Sequence, residues 1–276
     1  MPTPRRRHRW RIAVATAAVI VLGGTALLAV RYVFREHPGP KSLNTAVKTF
    51  KGNRSTTAGG NLTYEPPAEG VYTLHGQGTE RISFPPNSQR DGTVMPASVT
   101  YIADGCWRWH VDYNVAHWEE YDFCPHATQL HLAADRNSQS WDFGVVKINN
   151  LAQFTCPLAA MVLPGDPKPA QTLGWSCTGT NTAVPGRTTA ATTTRIVAIV
   201  TLRIGGAVVP TVHELQQVTL TGGQRGSVKE DWWLTASSGF PVRMERHITI
   251  LTSSSIGTIT YHEVGSWQMA SLHPRT

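Results

Sequence analysis

From Gly70 onward the chain alternates apolar and polar residues in short runs broken by Gly, Pro, Asn and Ser. The runs "VYTLHG", "ERISF", "ASVTYIA", "CWRWHVDY", "AHWEEYDFC", "QLHLAA" and "WDFGVVKI" come first. After a gap follow "TTRIVAIVTLRI", "ELQQVTLT", "SVKEDWWLT", "FPVRMERHITIL", "GTITYHEV" and "SWQMASL". A period of two with turn residues at regular intervals predicts half-buried strands, hence an all-β, antiparallel, meander-rich domain over residues 70–276. Two stretches break the pattern. "NLAQFTCPLAAMVL" (150–163) reads as a short helix before the loop "PGDPKPAQ", and the Thr-rich residues 178–194 read as a polar connection without core signal until Ile196. Residues 35–69 mix Pro, Gly, Ser, Thr and Asn and read as a flexible linker, with a helical turn or two at most over Leu43–Phe50.

Ahead of the linker the pattern changes kind. Ile12 to Val30 is a run of 19 uncharged residues, about 28 Å as a helix, close to the roughly 30 Å of a hydrocarbon core. Tyr32, Val33 and Phe34 suit the far interface, so residues 12–34 read as a transmembrane anchor. Arg5, Arg6, Arg7, Arg9 and Arg11 precede it, which puts a cytoplasmic basic tail at 1–11 and the C-terminal domain outside the cell. A cleaved signal peptide is the alternative; its apolar region is shorter and ends in a small-x-small site, for which Leu27/Ala29 is a poor match.

That terminus also explains the charge. Residues 1–41 hold eight basic residues against Glu36, which accounts for the whole net charge of +7 and leaves 42–276 formally neutral. The folded part therefore has no electrostatic case for nucleic acid.

Cys106, Cys124, Cys156 and Cys177 all follow the anchor, and an even count in an exported domain points to two disulfides. Three connectivities exist; the spacing favours 106–124 with 156–177. Joining Cys106 to Cys124 fixes a hairpin whose paired residue numbers sum to 230. One face then sets Arg108 against Asp122 and His110 against Glu120. The other sets Trp107 against Phe123 and Trp109 against Tyr121, with Val111 and Tyr113 opposite Glu119 and His117. Read blandly, this is a stapled hairpin with its aromatic face in the core. The functional reading is an aromatic platform for sugar or lipid with His110 and Glu120 as its polar pair. A metal site through His110 and His117 is disfavoured, because alternation sends them to opposite faces.

Residues 98–124 line up with 217–248: each has a Val-Thr strand, a turn, a Trp-rich strand and a long return strand. This raises two similar β repeats, 70–150 and 195–272, as an alternative to a single meander. "DWWLTASSGFPVRMERHITI" (231–250), through Trp233, Leu234, Gly239, Pro241 and Arg243, resembles the hairpin of bacterial lipoprotein-carrier (LolA-like) half-barrels, which are curved sheets around an apolar cavity. The layout as a whole is similar to anchored bacterial extracytoplasmic proteins of unknown function. The resemblance implies a half-barrel and an apolar ligand; the chain departs from that family in lacking a lipobox cysteine and in carrying paired cysteines. Trp107, Trp109, Tyr121, Phe123, Trp233 and Phe240 are the candidate ligand-facing aromatics.

Catalytic signatures are missing. "VHELQQ" has Gln217 where a second zinc ligand belongs, "YHEVGS" has Ser266 there, and neither GxSxG nor a phosphate loop occurs. The sequence thus predicts no enzyme, cofactor or metal. It predicts a membrane-anchored binding domain, foremost a protein-interaction module of the cell envelope, with lipid or apolar-ligand binding as the alternative and a hydrolase as the second alternative.

Overall fold

The computed structural model describes residues 37–52, 66–144, 146–254 and 257–275. The anchor at 12–34 and the tail at 1–11 lie outside the described residues, and no helix among those described is long and apolar enough to cross a membrane. The described residues of 38–140 and 149–275 form one compact unit; those of 141–148 belong to another. In the latter the Phe143 amide donates to the Val146 carbonyl and the Gly144 amide to the Asp142 carboxylate.

Within the segment read as linker, Leu43–Gly52 is a helix, α1. Leu43, Ala46, Val47 and Phe50, at i, i+3, i+4 and i+7, are its half-covered positions while the others face solvent.

The rest of this unit is antiparallel sheet. Its strands are β1 (Gly70–Ile82), β2 (Asn87–Arg90), β3 (Val94–Tyr101), β4 (Trp107–Asn114), β5 (His117–His126), β6 (Gln129–Asp142) and β7 (Lys147–Thr155). There follow β8 (Met161–Leu163), β9 (Thr172–Asn181), β10 (Val184–Ile204), β11 (Ala207–Gly222), β12 (Gln224–Thr235), β13 (Pro241–Ser254) and β14 (Gly257–Met269). Neighbours in sequence are mostly neighbours in the sheet, as the meander pattern predicts. β2 pairs only with β1 and β8 only with β6, and the other twelve form a ring because β1 also pairs with β14 from Leu74↔Met269 to Ile82↔Tyr261.

The sheet is therefore a closed barrel, not a half-barrel. Sequence pattern divided β1 in two at Gly76–Gly78, yet these glycines continue the strand. A Cβ on Gly76 would run into the Ser266 carbonyl and one on Gly78 into the Asp91 carboxylate, so close approach to neighbours, and not a turn, requires them. The continuous strand reaches β3 with its first half and β14 along most of its length, which closes the ring.

Two further expectations are corrected. Residues 150–163 are not a helix: Thr155 pairs with Thr178, and this register sets Cys156 beside Cys177, to which it is disulfide-bonded. Residues 178–194 are not a connection but the facing stretches of β9 and β10, where β-branched Thr suits the pleat and Thr188, Thr192 and Thr194 are buried. The longest hairpin, β10–β11, turns on Gly205 and Gly206, both at positive φ, which is the two-residue turn that matches strand twist.

The Cys106–Cys124 disulfide is formed, and β4 and β5 pair with residue numbers summing to 230 from Trp107↔Phe123 to Asp112↔Trp118. A bulge at Tyr113 then brings Asn114 opposite His117, leaving a two-residue loop in place of the expected three. The bond closes a short loop, worth about 3 kcal/mol in the chain-entropy model. Cys106→Ser with Cys124→Ser should lower the melting temperature in a thermal scan while leaving the far-UV circular dichroism unchanged. The segments 98–124 and 217–248, aligned in sequence, are both three-stranded meanders, β3–β4–β5 and β11–β12–β13.

Candidate functional site

The barrel interior has two zones. The first is apolar and packed with aromatic rings. Trp107 and Trp109 are completely buried. Trp107 packs on Phe123 with centroids 4.7 Å apart, and Phe240 lies edge-on to Tyr72 and Trp109 at 5.0 and 5.1 Å. Tyr121 meets Trp232 edge-on at 5.5 Å, and Met244, Trp267, Leu74 and Met95 complete the cluster. Five of the six candidate ligand-facing aromatics are thus core residues in contact with one another. Trp233 is buried as well, with other ring partners. It lies on the other face of β12 from Trp232, stacked on the His213 ring at 4.3 Å with the Arg243 guanidinium 4.4 Å from its centroid.

The second zone is polar and ionic. Arg246, fully buried, donates to Glu119 at 2.6 Å, pairs with Glu263 and lies 4.1 Å above the Tyr113 ring. Glu119 also accepts from Tyr113 (2.8 Å), Tyr121 (2.9 Å) and Asn137 (2.8 Å). His117 sets Nδ1 2.9 Å from Glu80, while the Asn137 amide lies 2.9 Å from Nε2. Gln89 donates to Glu80 at 2.8 Å. Beside Glu80 stands Asp91, whose carboxylate fills the space that Gly78 and Gly265 leave open; its Oδ1 is buried without a hydrogen-bond partner among the described residues.

Electrostatics sort these groups. Burial alone would lift Glu80 and Glu119, but His117 and Arg246 respectively reverse it and hold both carboxyls below their usual range. Burial would depress His117, yet the Glu80 charge and hydrogen bonds to Glu119 and Glu80 hold it well above its ordinary value. Two anions and two cations therefore balance. The remaining acids hold their protons to higher pH: desolvation first, then neighbouring carboxylates, lifts Asp91 to about 6 and Glu230 to about 7. Desolvation also takes Glu263 to about 7 and Asp135 well above its model-compound value.

On the outside of the β4–β5–β6 wall, Arg108 donates to Asp122 at 2.7 Å and Arg136 bridges Asp122 and Glu120 at 2.7 and 2.9 Å. His110 lies 3.1 Å from both Glu120 and Asp112. These are the opposite-charge pairs that alternation predicts, extended by Lys41, 2.8 Å from Asp112. Burial opposes and the two carboxylates outweigh it, so His110 is raised to about 8.

The HE pairs of the near-miss motifs are split by the pleat. His213 meets Asp231 at 2.8 Å on the outer face while Glu214 points inward, and Glu263 points inward beside Arg246. Sequence reasoning did not single out Glu80, Asp91 or Arg246. One sign of the ionic zone was present, because the 230 register puts Glu119 and His117 on the aromatic, inward face.

No protein-family model and no curated protein sequence matches the chain. Among solved structures it is similar to the hypothetical lipoprotein YmcC from Escherichia coli (K12), at 12% identity and a TM-score of 0.32, over 82% of this chain and 97% of that one.

Proposed function

We propose that the chain is a membrane-anchored, extracytoplasmic, non-catalytic binding domain that engages an envelope protein through the outside of its barrel. The observation that carries this reading is the ring-to-ring packing of the apolar interior. Acyl chains need several hundred Å³ of apolar space, and the ring-to-ring contacts of Trp107, Trp109, Phe123 and Phe240 occupy the zone where such space would lie. Two disulfides support an oxidising compartment. The outer surface offers anchors for a partner: exposed Ile199 and Val208 on the β10–β11 hairpin, and a groove of about 300 Å³ lined by Leu43, Val71, His75, Val94 and Ala270. The buried His117–Glu80 pair has no exposed side-chain surface, which weighs against a hydrolase.

The test has two arms. Tryptophan emission of residues 38–276, titrated with a long-chain phospholipid, should not shift; a saturable blue shift would replace this reading with the apolar-ligand one. A photo-crosslinking residue at Val208 should capture one discrete envelope protein in intact cells, and lipid adducts alone would count against the proposal.

A further inference from the structure

We propose that Glu80, Asp91 and His117 form a binding site for a first-row divalent cation, zinc foremost, inside the barrel wall. Each supplies one donor atom, and the three atoms lie within 4.8 Å of one another. Bonds of about 2.0–2.2 Å to a shared tetrahedral ion set donors roughly 3.4 Å apart, so the ion would part His117 from Glu80, now 2.9 Å away, and draw in the longer edges. One imidazole with two carboxylates suits zinc or manganese, whereas calcium and magnesium prefer all-oxygen sets. Three protein donors leave a tetrahedral ion one position for water.

Independent features point the same way. Asp91 Oδ1 is buried without a hydrogen-bond partner among the described residues while the Asp91 carboxyl also meets that of Glu80, and Asp91 as a whole is only partly covered, which leaves a route from solvent. Glycine at 78 and 265 clears the place its carboxylate occupies. The other two donors are held by outer partners, Glu80 by Gln89 and His117 by Asn137, as oriented metal ligands are. Carboxyl groups also outnumber basic side chains around the site: Glu80, Asp91, Glu119, Glu230 and Glu263 stand there with Arg246 and His117, and Arg246 is already engaged by Glu119 and Glu263.

The experiment uses the purified full-length chain, stripped with a chelator and titrated calorimetrically with zinc chloride. One equivalent should bind, and the melting temperature should rise with zinc in excess. Asp91→Asn should weaken binding at least tenfold, while His110→Ala, on the outer wall, should leave it unchanged. X-ray absorption of the zinc-loaded chain should show one imidazole with oxygen donors. The proposal is overturned if the folded chain binds no zinc, if binding survives Asp91→Asn but is lost with His110→Ala, or if absorption shows several imidazoles. The absorption arm uses the unaltered chain, so it decides the matter even where a variant fails to fold.

Discussion

Arg246→Met is expected to destabilise the folded chain by about 3–5 kcal/mol, the usual cost of removing one partner from a buried ion pair. The guanidinium is fully buried, and Glu119 and Glu263 both depend on it. Without it Glu119, now held ionised, is left as an uncompensated charge in a closed interior. Met fills much of the same volume, so the loss reports charge more than packing. Denaturant midpoints at neutral pH measure it. The deficit should shrink as pH falls, because protonating Glu119 and Glu263 removes the stranded charge. Arg246→Met with Glu119→Gln and Glu263→Gln should regain part of the loss, since a neutral interior no longer needs the cation.

Glu214→Gln should act in the opposite direction above neutral pH. Glu214 is completely buried, neither oxygen has a hydrogen-bond partner among the described residues, and the nearby Gln216 amide moderates its shift without cancelling it. Burial lifts its pKa from 4.5 to about 8. At low pH the group is protonated in both folded and unfolded chains and costs nothing. As pH rises past 4.5 the unfolded chain ionises first, so the folded state loses about 1.4 kcal/mol per pH unit until its own pKa is reached. The penalty is on the order of 4 kcal/mol at pH 8. The amide removes that slope, and chemical denaturation at pH 5 and pH 8 reads it directly. A variant with the same slope as the parent would show that Glu214 ionises in the folded chain below pH 7.

How much of this was legible depends on what each residue faces. The β4–β5 register was legible because a covalent staple and four complementary cross-strand pairs all agree on it, and β13 was marked at its start by Gly239-Phe240-Pro241. The segment 150–163 misled because its apolar residues match a helix as well as a strand, and only the Cys156–Cys177 bond decides between them. The first half of β10 was hidden because both of its faces carry Thr, while its second half, 193–204, was legible from alternation. Closure was hidden because pairing between first and last strands leaves no local trace. The ionic zone was hidden for a different reason. Reading alternation assumes that inward means apolar, and Glu80, Glu230, Arg246 and Glu263 are inward and ionisable. Such residues look like solvent-facing ones until their partners on distant strands are known.

The pairing of β1 with β14 also has a temporal consequence. Leu74 lies beside Met269, so almost the whole domain separates two hydrogen-bonded neighbours. A chain that emerges N-terminus first presents β1 early and its mate last, and in between β1 keeps an open edge able to accept a foreign strand. Long-range pairing of this kind is slow. The vulnerable period is thus set by how fast the chain emerges. The two staples, each spanning about twenty residues, can form well before that period ends and hold local segments in register while the ring waits to close.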